Sequence, residues 1–302
     1  MPKKIGNGGY VYPAKEFLDT PDEPIEWNIQ SMVHSKGKTL IIGLTKTGKT
    51  IFAIILALSM VTGQSVFSFP IEKCRVLYIV LERYRDFKRK LRDMAQGMNL
   101  DNLHVLDYSK KPLFIDTLDT KGYDTLKEAI AYVKPDIVIL DAKYRTTSKK
   151  EVDEQATSRW INNIDSLIEN EGVGFVIIHH SPKHEYEELV NKAAGSSILS
   201  RWADVIIGVK RVNTKERKDP RRLLEFVSNY GYEPDPITVK ITDKGMEDVS
   251  GQVQQNKLYE AYQILEEDLK KNPGTRMTKR IYDLADKHLI SARTFWAARE
   301  LL

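Results

Sequence analysis

The chain of 302 residues is 41% hydrophobic and 29% charged, a balance that is typical of a globular protein and excludes a disordered or fibrous one. Its longest apolar run, residues 51–61, is shorter than the roughly 20 residues of a membrane-spanning helix, and residues 1–6 lack the apolar region of a secretory signal. A single cysteine, Cys74, excludes a disulfide framework and favours a cytoplasmic protein, while the net charge of +4 leaves nucleic-acid binding open.

Residues 1–26 are rich in glycine and proline and are predicted to form a turn-rich lead-in rather than part of a core. From residue 27 onwards, short apolar stretches rich in β-branched residues alternate with stretches of helical periodicity. The predicted strands are residues 39–42, 76–81, 137–140, 175–178 and 205–209, and the predicted helices are residues 50–60, 85–98, 126–133 and 156–170. Apolar strands that alternate with helices predict an α/β fold, with a mostly parallel sheet flanked by helices.

The pattern changes after residue 209. A polar, basic stretch at 211–222 is followed by two predicted edge strands, at 223–228 and 237–241, so the main domain is expected to span residues 27–245. The polar residues 246–255 are predicted to be a linker. Residues 256–302 contain three helical patterns, at 259–269, 278–289 and 292–302. This tail fits either a helix-turn-helix or winged-helix unit or a plain helical cap on the main domain, and the sequence favours neither.

Residues 43–50 read Gly-Leu-Thr-Lys-Thr-Gly-Lys-Thr, a complete phosphate-loop motif of the form G-x-x-x-x-G-K-[ST]. The motif lies between a predicted strand and a predicted helix, where backbone amides and the helix N-terminus bind phosphate. We expect ATP to bind here, with Lys49 on its β- and γ-phosphates and Thr50 as a ligand of Mg²⁺. A glycine-rich turn without a ligand is the alternative. The predicted nucleotide-binding residues are Gly43, Thr45, Lys46, Thr47, Gly48, Lys49, Thr50 and Ile51.

Two carboxylates follow predicted buried strands. Asp141 ends an apolar strand as a Walker B aspartate does, and it is expected to hold Mg²⁺ through water. Many ATPases have their catalytic glutamate directly after this aspartate, but here that position is Ala142. We therefore predict that Glu82, which ends the strand at 76–81, is the base that activates the attacking water. The alternative role of Glu82 is to cap the following helix at the surface.

A pair of histidines, His179 and His180, follows the predicted strand at 175–178. Polar groups at this position lie at the same sheet edge as Glu82 and Asp141, and we predict that the histidines hydrogen-bond the γ-phosphate and report its loss. Metal binding and helix capping are the alternatives, although no further cysteine and no nearby Glu/His spacing completes a tetrahedral metal site.

With these residues the chain resembles the RecA-like ATPases, and within them the RepA-like plasmid helicases of the hexameric replicative-helicase class. The resemblance covers about residues 27–211. Its motifs are Trp27, the loop at 46–50, the strand ending in Glu82 with Arg83, Arg85 and Arg89 after it, the stretches 137–141 and 176–181, and the small-residue turn at 195–197.

The resemblance implies a RecA-type core that assembles into a hexamer-like ring, with ATP held between subunits. It implies that Arg211, beside Lys210, is an arginine finger, although an ordinary basic residue at a strand end is an almost equal alternative. It also implies that the loops at 143–154 and 182–197 contact single-stranded DNA, although acidic residues dilute the charge of both. The cations of the first loop are Lys143, Arg145, Lys149 and Lys150. The tail departs from the minimal RepA-like pattern.

The predicted function is that of an oligomeric, ATP-hydrolysing helicase or translocase that acts on DNA in plasmid, phage or mobile-element replication. The alternative is a RecA-like ATPase that loads or regulates a nucleic-acid or defence complex without unwinding. A third hypothesis, a binding module with a purely structural nucleotide, is disfavoured because such a site needs no water-activating Glu82.

Overall fold

The computed structural model describes residues 3–5, 9–19, 25–149, 153–180, 198–216, 218–230 and 233–271, together with Ile281, Leu284, Lys287, Phe295, Ala298 and Arg299. In this part of the chain no helix is both long enough and apolar enough to cross a membrane.

The N-terminal segment lies outside the core. Strands β1 (Lys3–Ile5) and β2 (Gly9–Val11) form an antiparallel hairpin, and helix α1 (Ala14–Leu18) has no buried residue. A second hairpin, of β3 (Trp27–Ile29) and β4 (Val33–His34), leads into the main sheet.

Nine of the described strands form one sheet, in the spatial order β13-β12-β11-β10-β5-β9-β8-β6-β7. In chain order they are β5 (Lys38–Gly43), β6 (Val76–Val80), β7 (Leu103–Asp107), β8 (Ile137–Asp141), β9 (Gly174–His180), β10 (Val205–Arg211), β11 (Arg221–Ser228), β12 (Ile237–Thr242) and β13 (Gly245–Asp248). The pairs from β10 to β7 are parallel, and those from β10 to β13 are antiparallel. The sheet is therefore mostly parallel, which confirms the predicted fold class.

Helices cover both faces of this sheet. They are α2 (Lys49–Thr62), α3 (Tyr84–Met94), α4 (Lys121–Val133), α5 (Glu154–Glu171) and the short helix Ile198–Trp202. Alternate residues of a strand point to opposite faces. On one face Ile139 and Ile178 pack with Phe52 of α2, and on the other Leu140 and Ile177 pack with Trp160 of α5. Each such buried side chain stabilises the fold by about 1.5–3 kcal/mol.

The region predicted to be a linker, residues 246–255, is not one. It contains most of β13, which pairs with β12, and the first residues of the C-terminal helix Ser250–Lys271. The stretch is polar because β13 is the last strand of the sheet and exposes Glu247 and Asp248. Strand β7 was not predicted either, because this opposite edge strand is only half-buried and lacks a continuous apolar run.

The first helical pattern of the tail, 259–269, lies within the helix Ser250–Lys271. The other two patterns lie largely outside the described residues, but four of their residues are buried against this helix. These residues, Ile281, Leu284, Phe295 and Ala298, form an apolar cluster with Ala261 and Leu265. The division of the chain into domains stays a prediction.

Candidate active site

The phosphate loop connects β5 to α2 at the centre of the sheet. Gly43 must be glycine because a Cβ there would lie 2.4 Å from the carbonyl oxygen of Val209 in the neighbouring strand β10. Gly48 has a φ of 105°, a left-handed conformation that favours glycine. The loop that these glycines shape ends at the N-terminus of α2, where backbone amides and the helix dipole attract an anion.

Lys49, the first residue of α2, reaches back across the loop. Its ammonium donates to the carbonyl oxygens of Gly43 at 2.7 Å and Leu44 at 2.8 Å. The side chain is buried, and burial lowers the pKa of Lys49 to about 8, while Asp141 and Glu82 act in the opposite direction. The site therefore holds a cation whose charge is costly until an anion approaches it.

The strand register brings three polar side chains to the face of the sheet that α2 covers. On β8, β9 and β6 the residues of the α2 core occupy every second position: Ile137 and Ile139, Val176 and Ile178, Tyr78 and Val80. Two positions further along, the same alternation reaches Asp141, His180 and Glu82. These residues, together with residues Thr45 to Ile51, line one cavity of about 620 Å³.

Asp141 and Thr50 form the group suited to Mg²⁺. The Asp141 carboxylate is buried, and it accepts hydrogen bonds from the hydroxyls of Tyr78, at 2.9 Å, and Thr50. Burial raises the pKa of Asp141, and these two hydrogen bonds oppose that rise. A carboxylate and a hydroxyl are the hard oxygen donors that Mg²⁺ prefers, so these residues fit the ion. Among the described residues, no group of three or more His, Cys, Asp or Glu is arranged so that it could hold a metal ion.

Glu82 lies two residues after the end of β6, in the cavity that Asp141 also lines. One carboxylate oxygen accepts a hydrogen bond from the hydroxyl of Tyr144, and the other lies 3.9 Å from Nε2 of His180. His180 and, after it, Tyr144 lower the pKa of Glu82 to about 2, although burial acts against them. The Glu82 side chain is therefore ionised at neutral pH.

Two arginines donate hydrogen bonds to backbone carbonyl oxygens of the phosphate loop. Arg211 on β10 faces Arg222 on β11 in the antiparallel register. Arg211 donates to the carbonyl oxygen of Lys46 at 3.1 Å, and Nε of Arg222 donates to that of Thr47 at 2.8 Å. Burial, and after it the charge of Arg211, lowers the pKa of Arg222, which is only 6% exposed. Like charges directly opposite each other are destabilising, so this arrangement favours a bound anion.

Most of the predicted site residues come together in this cavity, but His179 and Lys143 do not. His179 is 1% exposed and points to the other face of the sheet, because successive side chains of β9 alternate. Lys143, expected to contact DNA, is fully buried with its ammonium 5.0 Å from the centre of the Trp160 ring. The structure corrects both expectations.

The remaining predictions for DNA contact stay predictions. The guanidinium of Arg145 donates to the carbonyl oxygen of Leu81 at 3.2 Å, whereas Lys149 is exposed. Lys150 and the second loop, 182–197, lie outside the described residues. Arg211 contacts the phosphate loop of its own chain, and its action on a neighbouring subunit stays a prediction.

Among the residues that line the cavity and were not predicted as site residues, Tyr144 and Arg222 contact other parts of the site. Tyr144 lies in the loop at 143–154 that was expected to contact DNA, and Arg222 is the last residue of the polar stretch at 211–222. One signal was present: Tyr144 follows the Walker B aspartate Asp141 by three positions, which places it at the sheet edge where ligands bind in open α/β folds.

A mostly parallel sheet with a phosphate loop at its centre and carboxylates on neighbouring strand ends defines a RecA-like P-loop ATPase. The chain belongs to the AAA domain family, whose profile matches residues 13–185. The fold is similar to that of a KaiC-like protein of the hyperthermophilic archaeon Pyrococcus horikoshii OT3. That similarity has a TM-score of 0.51 and 12% sequence identity, and covers 74% of this chain and 99% of the other. No curated protein sequence matches the chain. The narrower resemblance to RepA-like helicases stays a prediction.

Proposed function

We propose that this protein hydrolyses ATP in the cavity at the phosphate loop and uses that reaction to act on single-stranded DNA as an oligomeric, ring-forming helicase or translocase. The observation that carries the hydrolysis is the position of Glu82. An ionised carboxylate lines the same cavity as Lys49 and Thr50, the first two residues of α2.

Residues of this chain supply the groups that bind the triphosphate and activate water. Backbone amides of the loop and the Lys49 ammonium hold the β- and γ-phosphates, and Thr50 and Asp141 would hold Mg²⁺. Bound there, the ion would supply positive charge that offsets the negative charge of the phosphate oxygens. Glu82 orients a water and accepts its proton as the new oxygen–phosphorus bond forms and the bond to the bridging oxygen of ADP breaks. The proton then passes to solvent, and His180 is placed to hydrogen-bond the γ-phosphate.

Support for a DNA substrate comes from the helix that follows Glu82. Residues 83–94 carry five exposed cations and one exposed acid, Asp93. The exposed cations are Arg83, Arg85, Lys88, Arg89 and Arg92. Clustered cations of this kind neutralise backbone phosphates and make affinity depend steeply on salt. We name the surface formed by residues 85, 88, 89 and 92 of this helix the α3 basic face.

The alternative, a RecA-like ATPase that loads or regulates another complex without unwinding, also has an observation in its favour. Two of the four cations that were expected to contact DNA in the loop after Asp141 are engaged inside the protein. Lys143 lies over Trp160, and Arg145 binds the Leu81 carbonyl. Because these two charges are held inside the protein, the loop offers few cations to the backbone phosphates of a DNA strand.

ATP hydrolysis with and without single-stranded DNA, followed by a strand-displacement assay on a forked duplex, tests the proposal. DNA should stimulate hydrolysis, the forked duplex should be unwound, and electron micrographs with ATP and DNA should show rings. Stimulation without displacement would favour the alternative, and no hydrolysis at all would refute both.

The variant Arg85→Glu/Lys88→Glu should weaken DNA binding. It should also reduce the slope of log affinity against log salt by about one for each backbone phosphate that the protein ceases to neutralise. Lys36→Glu/Lys73→Glu is the matched control, because both lysines are exposed and precede the N-terminal ends of β5 and β6, whereas α3 follows the C-terminal end of β6. Equal weakening in both variants would mean that the effect follows net charge rather than the α3 basic face.

A further inference from the structure

The hydrogen bond between Tyr144 and Glu82 gives the tyrosine a connection to the catalytic base. Tyr144 lies on the 3-10 turn Lys143–Arg145, directly after β8. Its hydroxyl donates to one carboxylate oxygen of Glu82, and its ring centre lies 5.7 Å from that of His180. Tyr144 thus contacts both of the side chains that are proposed to act at the γ-phosphate.

The turn that carries Tyr144 is firmly held by residues distant in sequence. The amides of Leu113 and Ile115 donate to the carbonyl oxygens of Arg145 and Thr146, at 3.0 and 2.9 Å. The Trp160 indole donates to the Thr146 hydroxyl at 2.8 Å. Two residues further on, the amide of Ser148 donates to the buried Asp116 carboxylate at 2.8 Å. The phenol is therefore set in place by the surrounding structure, although 42% of the residue is exposed.

We propose that Tyr144 is a positioning residue that restrains Glu82, and that hydrolysis requires this hydrogen bond to break. The inference rests on the proposed role of Glu82. While the phenol donates to Glu82, one carboxylate oxygen is occupied and the other lies toward His180, so the carboxylate is not free to turn toward an attacking water. A ligand that moves the turn at 143–149 releases Glu82 and accelerates hydrolysis.

The electrostatics of the pair agree with a restrained base. The pKa of Glu82 is lowered to about 2, partly by the hydroxyl of Tyr144, and burial together with Glu82 raises the pKa of Tyr144 to about 12. A carboxylate so far below neutral pH is a weak proton acceptor, because general-base catalysis is most efficient when the pKa is close to the working pH.

Steady-state ATP hydrolysis by Tyr144→Phe tests the proposal, because this change removes the hydroxyl and keeps the ring beside His180. Without DNA, kcat should rise about tenfold, which is the scale of one hydrogen bond to a charged group, and KM should stay unchanged. Tyr132→Phe is the matched control, because this tyrosine on α4 is 87% exposed. A kcat at or below that of the wild type would overturn the proposal.

The background of Glu82→Gln separates this inference from the proposed function. If Tyr144 acts through Glu82, Tyr144→Phe should have no effect on kcat in that background. If instead kcat rises equally in both backgrounds, the tyrosine acts elsewhere and the inference is wrong. If Glu82→Gln itself keeps wild-type turnover, the proposed base is wrong as well.

A second measurement does not depend on turnover. In protein labelled with ¹³C at the tyrosine Cζ, the NMR resonance absent from Tyr144→Phe identifies Tyr144. Glu82→Gln should move this resonance, and so should the slowly hydrolysed analogue ATPγS with Mg²⁺ and single-stranded DNA. If neither change moves the resonance, the phenol does not make a hydrogen bond to Glu82 that breaks during the ATPase cycle.

Discussion

Raising the pH should weaken nucleotide binding through Lys49. Burial lowers the pKa of this lysine to about 8, so its charged fraction falls from about nine-tenths at about pH 7 to about one-tenth at about pH 9. A neutral amine attracts phosphate weakly. If only the charged form binds, the Kd for Mg²⁺·ATP rises about tenfold over this range. The pKa values of Glu82, about 2, and Tyr144, about 12, keep both side chains out of this window.

Fluorescence anisotropy of a labelled ATP analogue, with Mg²⁺ in excess, measures this Kd at each pH. Lys49→Arg should remove the dependence, because a guanidinium stays charged throughout. Lys46→Arg should keep it, because Lys49 is unchanged. A wild-type Kd that is constant between about pH 7 and about pH 9 would refute the reasoning, since Lys49 would then be either not depressed in pKa or not in contact with the phosphates.

Three further changes test the site by other routes. Glu82→Gln should bind Mg²⁺·ATP with the wild-type Kd but turn over about 10² to 10⁴ times more slowly in single-turnover assays, because the general base is lost; wild-type turnover would place the base elsewhere. Arg222→Gln should raise the Kd for ATP by about tenfold and lower kcat little, because the loop loses its bond at the Thr47 carbonyl; an unchanged Kd would show that the loop needs no such support. Gly43→Ala should lower the free energy of unfolding by about 1–3 kcal/mol in denaturant titrations, because its Cβ would lie 2.4 Å from a carbonyl oxygen, whereas Gly251→Ala, where a Cβ meets nothing within 4 Å, should not.

Local sequence patterns were enough to predict the fold class and the position of the phosphate loop. The strand patterns at 39–42 and 137–140 lie within β5 and β8, because strands buried on both faces need continuous apolar runs. Two of the predicted apolar runs are followed directly by an acidic residue, so Glu82 and Asp141 could be predicted to lie close together. The structure brings both to the cavity at the loop.

Local sequence patterns do not tell which of His179 and His180 faces the cavity. Both faces of β9 are apolar, so the sequence of this strand does not reveal which face α2 covers. Once Asp141 is assigned to the α2 face, the pairing of β8 with β9 places Val176 beside Ile139. Counting on by two from Val176 then selects His180. The information lies in the register between strands rather than in either strand alone.

Tyr144 and Arg222 depend on contacts between segments distant in sequence. Arg222 reaches the loop because the hairpin of β10 and β11 sets it opposite Arg211, and the polar residues 212–220 between them give no sign of that register. Tyr144 reaches Glu82 because a turn of three residues is held by the segment around Leu113 and Ile115. The spacing from Asp141 indicates that Tyr144 lies at the sheet edge, but neither its contact with Glu82 nor that of Arg222 with the loop has a local signature in the sequence.

The burial of Lys143 explains why the turn after Asp141 is suited to transmit a signal. An ammonium removed from water is costly unless it is compensated, and here it lies over the face of Trp160, where a cation–π contact stabilises it. Trp160 belongs to α5 and also binds Thr146, so the turn is tied to this helix on both sides of Tyr144. A shift of α5 would therefore move the Tyr144 phenol relative to Glu82. On the proposed role of Tyr144, a ligand that acts on this helix or on the exposed Lys149 controls hydrolysis without entering the nucleotide cavity.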